Sequence, residues 1–188
     1  MSSFDKAMGD VLKNEGGYVK DPIDRGGETI YGVSRRYWPS WAGWAIVDQM
    51  LKGTGTVQPS ERLDLAVKDF YRAEFWDRCN CDALPQGIAT KVFDTAVNVG
   101  VTTACRWLQE SLNILNRNGK SYPDIEEDGK LGPATLRSLK ALINLEGDCK
   151  LLLTAFHFRQ GMHYWEQMKK SPVQEKFARG WFARAEEK

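Results

Sequence analysis

The stretch Glu15-Gly16-Gly17-Tyr18-Val19-Lys20-Asp21-Pro22-Ile23-Asp24-Arg25-Gly26-Gly27-Glu28-Thr29-Ile30-Tyr31-Gly32 sets carboxylates and five glycines in a loop that follows a helical pattern. Upstream, Phe4, Met8, Val11 and Leu12 recur at helical spacing, Ser2 or Ser3 can cap the start, and Gly16-Gly17 supplies a stop. Glu15 therefore falls on the last turn of the predicted helix. There it lies beside unsatisfied carbonyls at the negative end of the helix dipole, which disfavours its charged form, and partial burial raises its pKa further. A carboxyl kept protonated near neutral pH is what a general acid requires. Cleavage of a glycosidic bond commonly needs a second group across the bond, as nucleophile or as base for water, and Asp24 or Asp21 can supply it. Gly26-Gly27 lets the backbone reverse towards Glu15. Thr29 and Tyr31 alternate with Ile30, so a short strand puts both on one face.

The pattern E-G-G-Y-x-x-D-P-x-D-x-G-G-x-T-x-x-G resembles the glycoside hydrolase family 108 muramidases, the N-acetylmuramidases of phage endolysins and bacterial homologues, some of them labelled secretion activator proteins. The match runs without a gap through Glu15, Gly16, Gly17, Tyr18, Asp21, Pro22, Asp24, Gly26, Gly27, Thr29 and Gly32. This resemblance implies a lysozyme-like helical fold, peptidoglycan as substrate and Glu15 as the essential acid. The chain departs from the family at Ile30, where Asn is usual, and at Val33-Ser34, where Ile-Thr is usual. Phage-type lysozymes show a related Glu-x8-Asp-x5-Thr spacing, which Glu15 and Asp24 fit. Thr29 arrives one residue early, so the second catalytic role is left between Asp24 and Thr29. Tyr18 and Tyr31 are the loop's candidates for contacting substrate. Read without the resemblance, Asp21-Pro22 and Asp24-Arg25-Gly26 are also ordinary turn formers.

With 188 residues the chain can bury an ordinary core as one substantial domain or two small ones. A formal charge of +1 argues against a nucleic-acid binder driven by bulk electrostatics. The N-terminus reads as a capped amphipathic helix, with no signal peptide and no membrane span expected, so synthesis in the bacterial cytoplasm and action on the wall after release are the expectation. Cys79, Cys81, Cys105 and Cys149 are read as free thiols of a reducing compartment. Cys79-x-Cys81 has the wrong spacing for a zinc knuckle, and His157 and His163 face different sides of a helix, so neither metal nor cofactor is expected.

Three tryptophans, Trp38, Trp41 and Trp44, follow the loop within seven residues. Aromatic faces stack on sugar rings, but spacing of this kind also serves a core, and Pro39 argues against one helix through the cluster. A short helix through Ile46, Val47, Met50 and Leu51 is expected to end at Gly53. A longer one is expected from Ser60 to about Asp77, with Leu63, Ala66, Val67, Phe70 and Tyr71 on one face. Leu84-Pro85 leads to a helix with Ile88, Val92, Ala96 and Val99 as its core stripe, which puts Asp94 and Asn98 together on another face. The family carries a comparable Asp and Asn. This pair can hydrogen-bond an N-acetyl sugar, orient the Glu15 loop, or serve as a cap or anchor.

Thr102 to Leu115 is the clearest helical period, with Thr102 as its expected cap. A turn-rich stretch from Asn116 to Gly132 leads to Pro133 at the start of a helix bearing Leu136, Leu139 and Ile143. Trp107-Leu108-Gln109 with Asp128-Gly129-x-x-Gly132-Pro133-x-Thr135-Leu136 resembles the predicted peptidoglycan-binding region that accompanies these muramidases, although a tight loop into a helix uses the same residues. Asp148 can cap a long helix through about Lys170, rich in Leu151, Leu152, Ala155, Phe156, Met162 and Trp165. Ser171-Pro172-Val173-Gln174 reads as a capping box opening a last helix that ends in Arg179-Gly180-Trp181-Phe182-Ala183-Arg184, with Trp181 packed back on the body.

The fold expected is mainly α and lysozyme-like, with a short β element near residues 28–33. A muramidase region over 1–95 and a peptidoglycan-binding region over 96–188 are expected to share one compact, monomeric body, its cleft between the Glu15 loop and helices from the middle of the chain. A lytic transglycosylase and a non-catalytic wall-binding or secretion-associated protein are the alternatives.

Overall fold

The computed structural model describes residues 2–12, 17–20 and 27–186. It is mainly α, with the lysozyme-like helical character expected, and its β structure is one small antiparallel sheet among the described residues. Two compact units emerge, Ser3–Arg78 and, with Met1–Ser2, Cys79–Lys188.

The first unit opens with α1 (Phe4–Leu12), whose Phe4, Ala7 and Met8 are buried at the i, i+3, i+4 positions that define one helix face. The Ser3 hydroxyl accepts a hydrogen bond from the Lys6 amide at 3.4 Å, so of the two candidate serines Ser3 supports the first turn. Three short strands follow, β1 (Val19–Lys20), β2 (Glu28–Ile30) and β3 (Val33–Ser34), in the order β1-β2-β3. Val19 pairs with Thr29 and Lys20 with Glu28, while Thr29 pairs with Ser34 and Ile30 with Val33. The β2–β3 turn is therefore the pair Tyr31-Gly32, with φ of 44° and 76°. Two positive φ values match the strand twist in a two-residue hairpin. Tyr31 thus sits at the tip and does not continue the strand, which corrects the expectation that it shares a strand face with Thr29.

Helix α2 (Gly43–Thr54) extends past Gly53 and is capped at Gly55 in the left-handed conformation. Solvent surrounds that last turn, so a glycine alone does not end it. The Ser60 hydroxyl accepts from the Leu63 amide and starts α3 (Glu61–Tyr71), as expected. Beyond Tyr71 the coil continues with a wider π-helical turn over Arg72–Trp76, which brings Trp76 to full burial, edge-on to Phe4 at 5.5 Å.

In the second unit, α4 (Gln86–Val99) and α5 (Val101–Leu115) pack together. Ile88, Val92 and Ala96 of the expected stripe are buried, joined by Ala89 and Phe93, while Val99 is only half-buried. Gly100 serves as both the end of α4 and the cap of α5, so Thr102 lies inside the helix and is not its cap. Helix α6 (Pro133–Glu146) starts at Pro133, but its buried line is Thr135, Ser138, Leu139 and Leu142. Leu136 and Ile143 are only half-buried.

Helix α7 (Lys150–Lys170) has the Asp148 carboxylate accepting from the Lys150 amide at its start. It buries Leu152, Phe156, Tyr164 and Met168, while Phe158, Met162 and Trp165 face outward. A 3-10 segment, Pro172–Phe177, precedes α8 (Ala178–Glu186). Ser171 makes no side-chain cap bond and the α-helix begins only at Ala178, so the expected capping box is displaced, while the helix runs through Gly180 and Trp181 to end at Glu186, close to the end expected. Trp181 stacks on Tyr164 at 4.9 Å, which is the packing expected of it.

Candidate active site and its supports

Glu15, Asp21 and Asp24 lie outside the described residues, and so does the expectation that Glu15 ends a helix. The described residues of this stretch form the small sheet and its turn. Tyr18, immediately before β1, donates its phenol hydrogen to Glu28 Oε1 at 2.9 Å, and Arg35 donates to Glu28 Oε2 at 2.9 Å. The same guanidinium reaches Asp48 on α2 at 2.5 Å and lies 4.7 Å from the centre of the Trp44 ring. One cation thereby ties β2 to α2, and both of its carboxylate partners are fixed.

The electrostatics of this group follow from its geometry. Burial opposes the charge on Glu28, but hydrogen bonds from Arg35 and then Tyr18 outweigh it and hold the carboxyl below the usual range. Burial, with the hydrogen bond to Glu28, pushes the Tyr18 phenol up to about 12. Arg35 holds the Asp48 carboxyl below its usual range as well. Glu28 is consequently a fixed anion at neutral pH and is unsuited to acting as a general acid. Sequence reading passed over Glu28, Arg35 and Asp48. Glu28 was visible in the quoted stretch, but Arg35 stands 7 residues after it and Asp48 a further 13, and no periodicity links the three.

Thr29 sits at the centre of the sheet, opposite Val19 on one side and Ser34 on the other. Its hydroxyl has a long contact, 3.5 Å, to the Gly27 carbonyl. At the hairpin tip, the Tyr31 carbonyl accepts from the Tyr71 hydroxyl at 2.9 Å, which fastens the turn to α3. The structure therefore brings Tyr18, Thr29 and Tyr31 into one sheet and its turn.

Asp94 and Asn98 do share a face of α4. Asp94 Oδ1 accepts from Arg184 Nε and Nη2 at 3.1 and 2.9 Å, and Asn98 Oδ1 accepts from the Tyr164 hydroxyl at 2.9 Å. Of the roles open to this pair, the contacts favour anchoring: one residue holds α8 and the other α7. Gln109 of α5 holds the loop between α5 and α6: it donates to Asp128 Oδ1, the Lys130 carbonyl and Thr135 Oγ1 at the start of α6, and accepts from the Gly129 amide at 2.8 Å. The Asp-Gly signature is therefore held by a buried amide rather than left open for a ligand.

No disulfide joins the four cysteines, in line with their reading as free thiols. His163 packs its ring 5.1 Å from Trp107, whereas His157 belongs to another part of α7, with a buried Nε2 that has no hydrogen-bond partner. Among the described residues no cluster of three or more His, Cys, Asp or Glu is placed to hold a metal ion, and no helix is long and apolar enough to cross a membrane.

A mainly helical fold with a small antiparallel sheet after its first helix is that of a lysozyme-like protein. Residues 8–100 match the family Glycosyl hydrolase 108, and residues 103–186 match the Predicted Peptidoglycan domain. The chain belongs to the glycosyl hydrolase 108 family and is a glycoside hydrolase whose substrate is peptidoglycan. Among solved structures it is similar to Brucella abortus SagA, at 23% identity and a TM-score of 0.55, with 98% of this chain and 96% of that one covered. That likeness concerns the fold. No curated protein matches the sequence.

Proposed function

We propose that the protein is an N-acetylmuramidase that hydrolyses the β-1,4 bond between N-acetylmuramic acid and N-acetylglucosamine. Glu15 is the general acid that protonates the leaving oxygen. Asp24 or Thr29 positions water or stabilises the developing oxocarbenium ion. Tyr18 and Tyr31 line the approach of the glycan, and Asp94 and Asn98 hold α8 and α7 in place. The observation that carries this reading is the family match over residues 8–100, which contains the whole acidic loop with Glu15 in its motif. The ionised, doubly bonded state of Glu28 supports it, because that carboxylate is committed to holding the sheet and leaves the acid's role to the loop.

In this proposal the residues of 1–95 carry catalysis and those of 96–188 bind the wall, and the enzyme works as a monomer on the wall after release from a bacterial cytoplasm. The test compares purified Gram-negative peptidoglycan treated with the wild type and with Glu15→Gln, the fragments being read by mass spectrometry. Wild-type clearing with reducing muramic ends, abolished in the variant, is the expected result. Anhydro-muramic ends would instead identify a lytic transglycosylase. Wall binding without cleavage, or an active variant, would overturn the assignment of Glu15.

A further inference from the structure

The aromatic cluster after β3 forms a pocket of about 420 Å³ within the first unit, walled by Tyr37, Trp38, Trp41 and Phe70, with Ser40 and Glu74 at its polar positions. We propose that this pocket is a subsite for an N-acetylhexosamine ring of the glycan strand, lying beside the hairpin. The proposal rests on the reading of the enzyme as a muramidase, and it adds where a further sugar of the same strand is held.

Four observations carry it. First, the pocket is built from rings held rigidly from behind. Trp38 meets Phe70 edge-on at 5.0 Å, Trp41 meets Trp44 edge-on at 5.3 Å, and the Trp41 indole donates to the Ala66 carbonyl. Gly43 makes room for this arrangement, since a Cβ there would come within 2.2 Å of the Trp41 ring. Only Trp44 is spent on the core, at 3% exposure, while Trp38 and Trp41 remain half-buried.

Second, Tyr37 is 66% exposed at the edge of this cluster. A large aromatic face left in water at the mouth of an aromatic pocket is costly to solvate and suits the apolar C–H face of a pyranose ring. Third, the pocket offers hydrogen-bonding groups as well as rings. Among the described residues the Tyr37 phenol, the Ser40 hydroxyl and the Trp38 indole N–H have no hydrogen-bond partner, and the Glu74 carboxylate is engaged only from one side by Arg78. A sugar presents hydroxyls around an apolar face and so matches both sets, which a purely hydrocarbon ligand does not.

Fourth, the pocket is continuous with the hairpin. The Ser34 carbonyl accepts from the amides of both Tyr37 and Trp38, at 3.2 and 2.9 Å, and Ser34 pairs with Thr29 across the sheet. On the other wall, Tyr71 contacts the Phe70 ring and donates to the hairpin tip at Tyr31. The strand that positions Thr29 therefore positions the pocket too.

The test is calorimetric titration of chitotetraose, a β-1,4 oligomer of N-acetylglucosamine, into the full chain, its Tyr37→Ala variant and its Tyr37→Phe variant. The full chain is expected to bind, Tyr37→Ala to bind roughly tenfold more weakly, and Tyr37→Phe to recover most of the loss because it keeps the ring face. Tyr37 is exposed, so a folding failure is not expected, and thermal melts of each variant check it. Absence of binding to the full chain, an unchanged affinity in Tyr37→Ala, or a Tyr37→Phe variant as weak as Tyr37→Ala would each overturn the proposal. Wall cleavage by Glu15→Gln is scored separately: if that variant still cuts, the catalytic assignment fails while the Tyr37 titrations still decide the subsite.

Discussion

Arg184 of α8 donates from two of its nitrogens to a single oxygen of Asp94 on α4, at 3.1 and 2.9 Å, and the Arg184 carbonyl accepts from the largely buried Lys91 at 2.9 Å. The last helix is thus pinned through both the side chain and the backbone of one residue. Asp94→Ala is expected to lower stability by about 2 kcal/mol, as for a hydrogen-bonded charge partner in a half-buried place. Arg184→Met should do the same, and the double variant should cost little more than either single one. Thermal melts check this. Weakened wall binding by Asp94→Ala with an unchanged melt would instead mark Asp94 as a substrate contact.

The Glu28 carboxylate answers to two donors, Tyr18 before β1 and Arg35 after β3. Glu28→Gln should cost about 2 kcal/mol and lower the activity, because Arg35 loses one of its two charged partners and the tie from β2 to α2 is weakened. The folded-state pKa of Glu28 is lowered, so its contribution is present above the unfolded carboxyl value and is lost as the pH falls through the folded one. The wild type should therefore lose more stability on acidification than Glu28→Gln does, as read from melts at neutral and acidic pH.

His157 gives a pH dependence of related sign by another route. Burial, with repulsion from Lys91, lowers its pKa to about 4. The unfolded imidazole takes up its proton near 6.5, so between that value and about 4 the unfolded state binds more protons than the folded one. Stability due to this group is full above the unfolded value and declines as the pH falls towards the folded one. His157→Gln is expected to flatten the decline in melting temperature over this interval, and an unaltered slope would contradict it.

Gly129 has φ of 74°, and a Cβ there would lie 2.6 Å from Thr102 Cγ2 and 2.7 Å from the Thr102 carbonyl oxygen. Gly129→Ala should cost about 2 kcal/mol or more. Thr102→Ser should fail to rescue it, since the carbonyl clash belongs to the backbone. Denaturant unfolding of the single and double variants measures both effects.

The helices were legible wherever a one-sided apolar period met a clear start signal. Ser60 and Pro133 open α3 and α6 as read, because a cap bond and a fixed φ act within one turn. Gly53, Thr102 and Ser171 were misread for the converse reason: each residue type permits a boundary without requiring one, and the neighbouring Gly55, Gly100 and the 3-10 segment after Ser171 supply it instead. The outward side chains of α7 show a further limit. Leu152 and Phe158 look alike in a list of apolar residues, yet one is buried and the other is 70% exposed.

Local chemistry in the sequence was sufficient for the mainly α class, for the family motif from Glu15 to Gly32 and for a short β element near residues 28–33, since these depend on neighbours within a few residues; the hairpin turn at Tyr31-Gly32 was not among them. Only the tertiary structure decided that Glu28 is an anchored anion, that Asp94 and Asn98 hold α8 and α7, and that Trp38 and Trp41 wall a pocket while Trp44 fills the core. Each of those outcomes depends on a partner brought from elsewhere in the chain, such as Arg35, Arg184, Tyr164 or Phe70. Burial and pairing set a side chain's charge and availability, and both are properties of the folded surroundings, not of the residue.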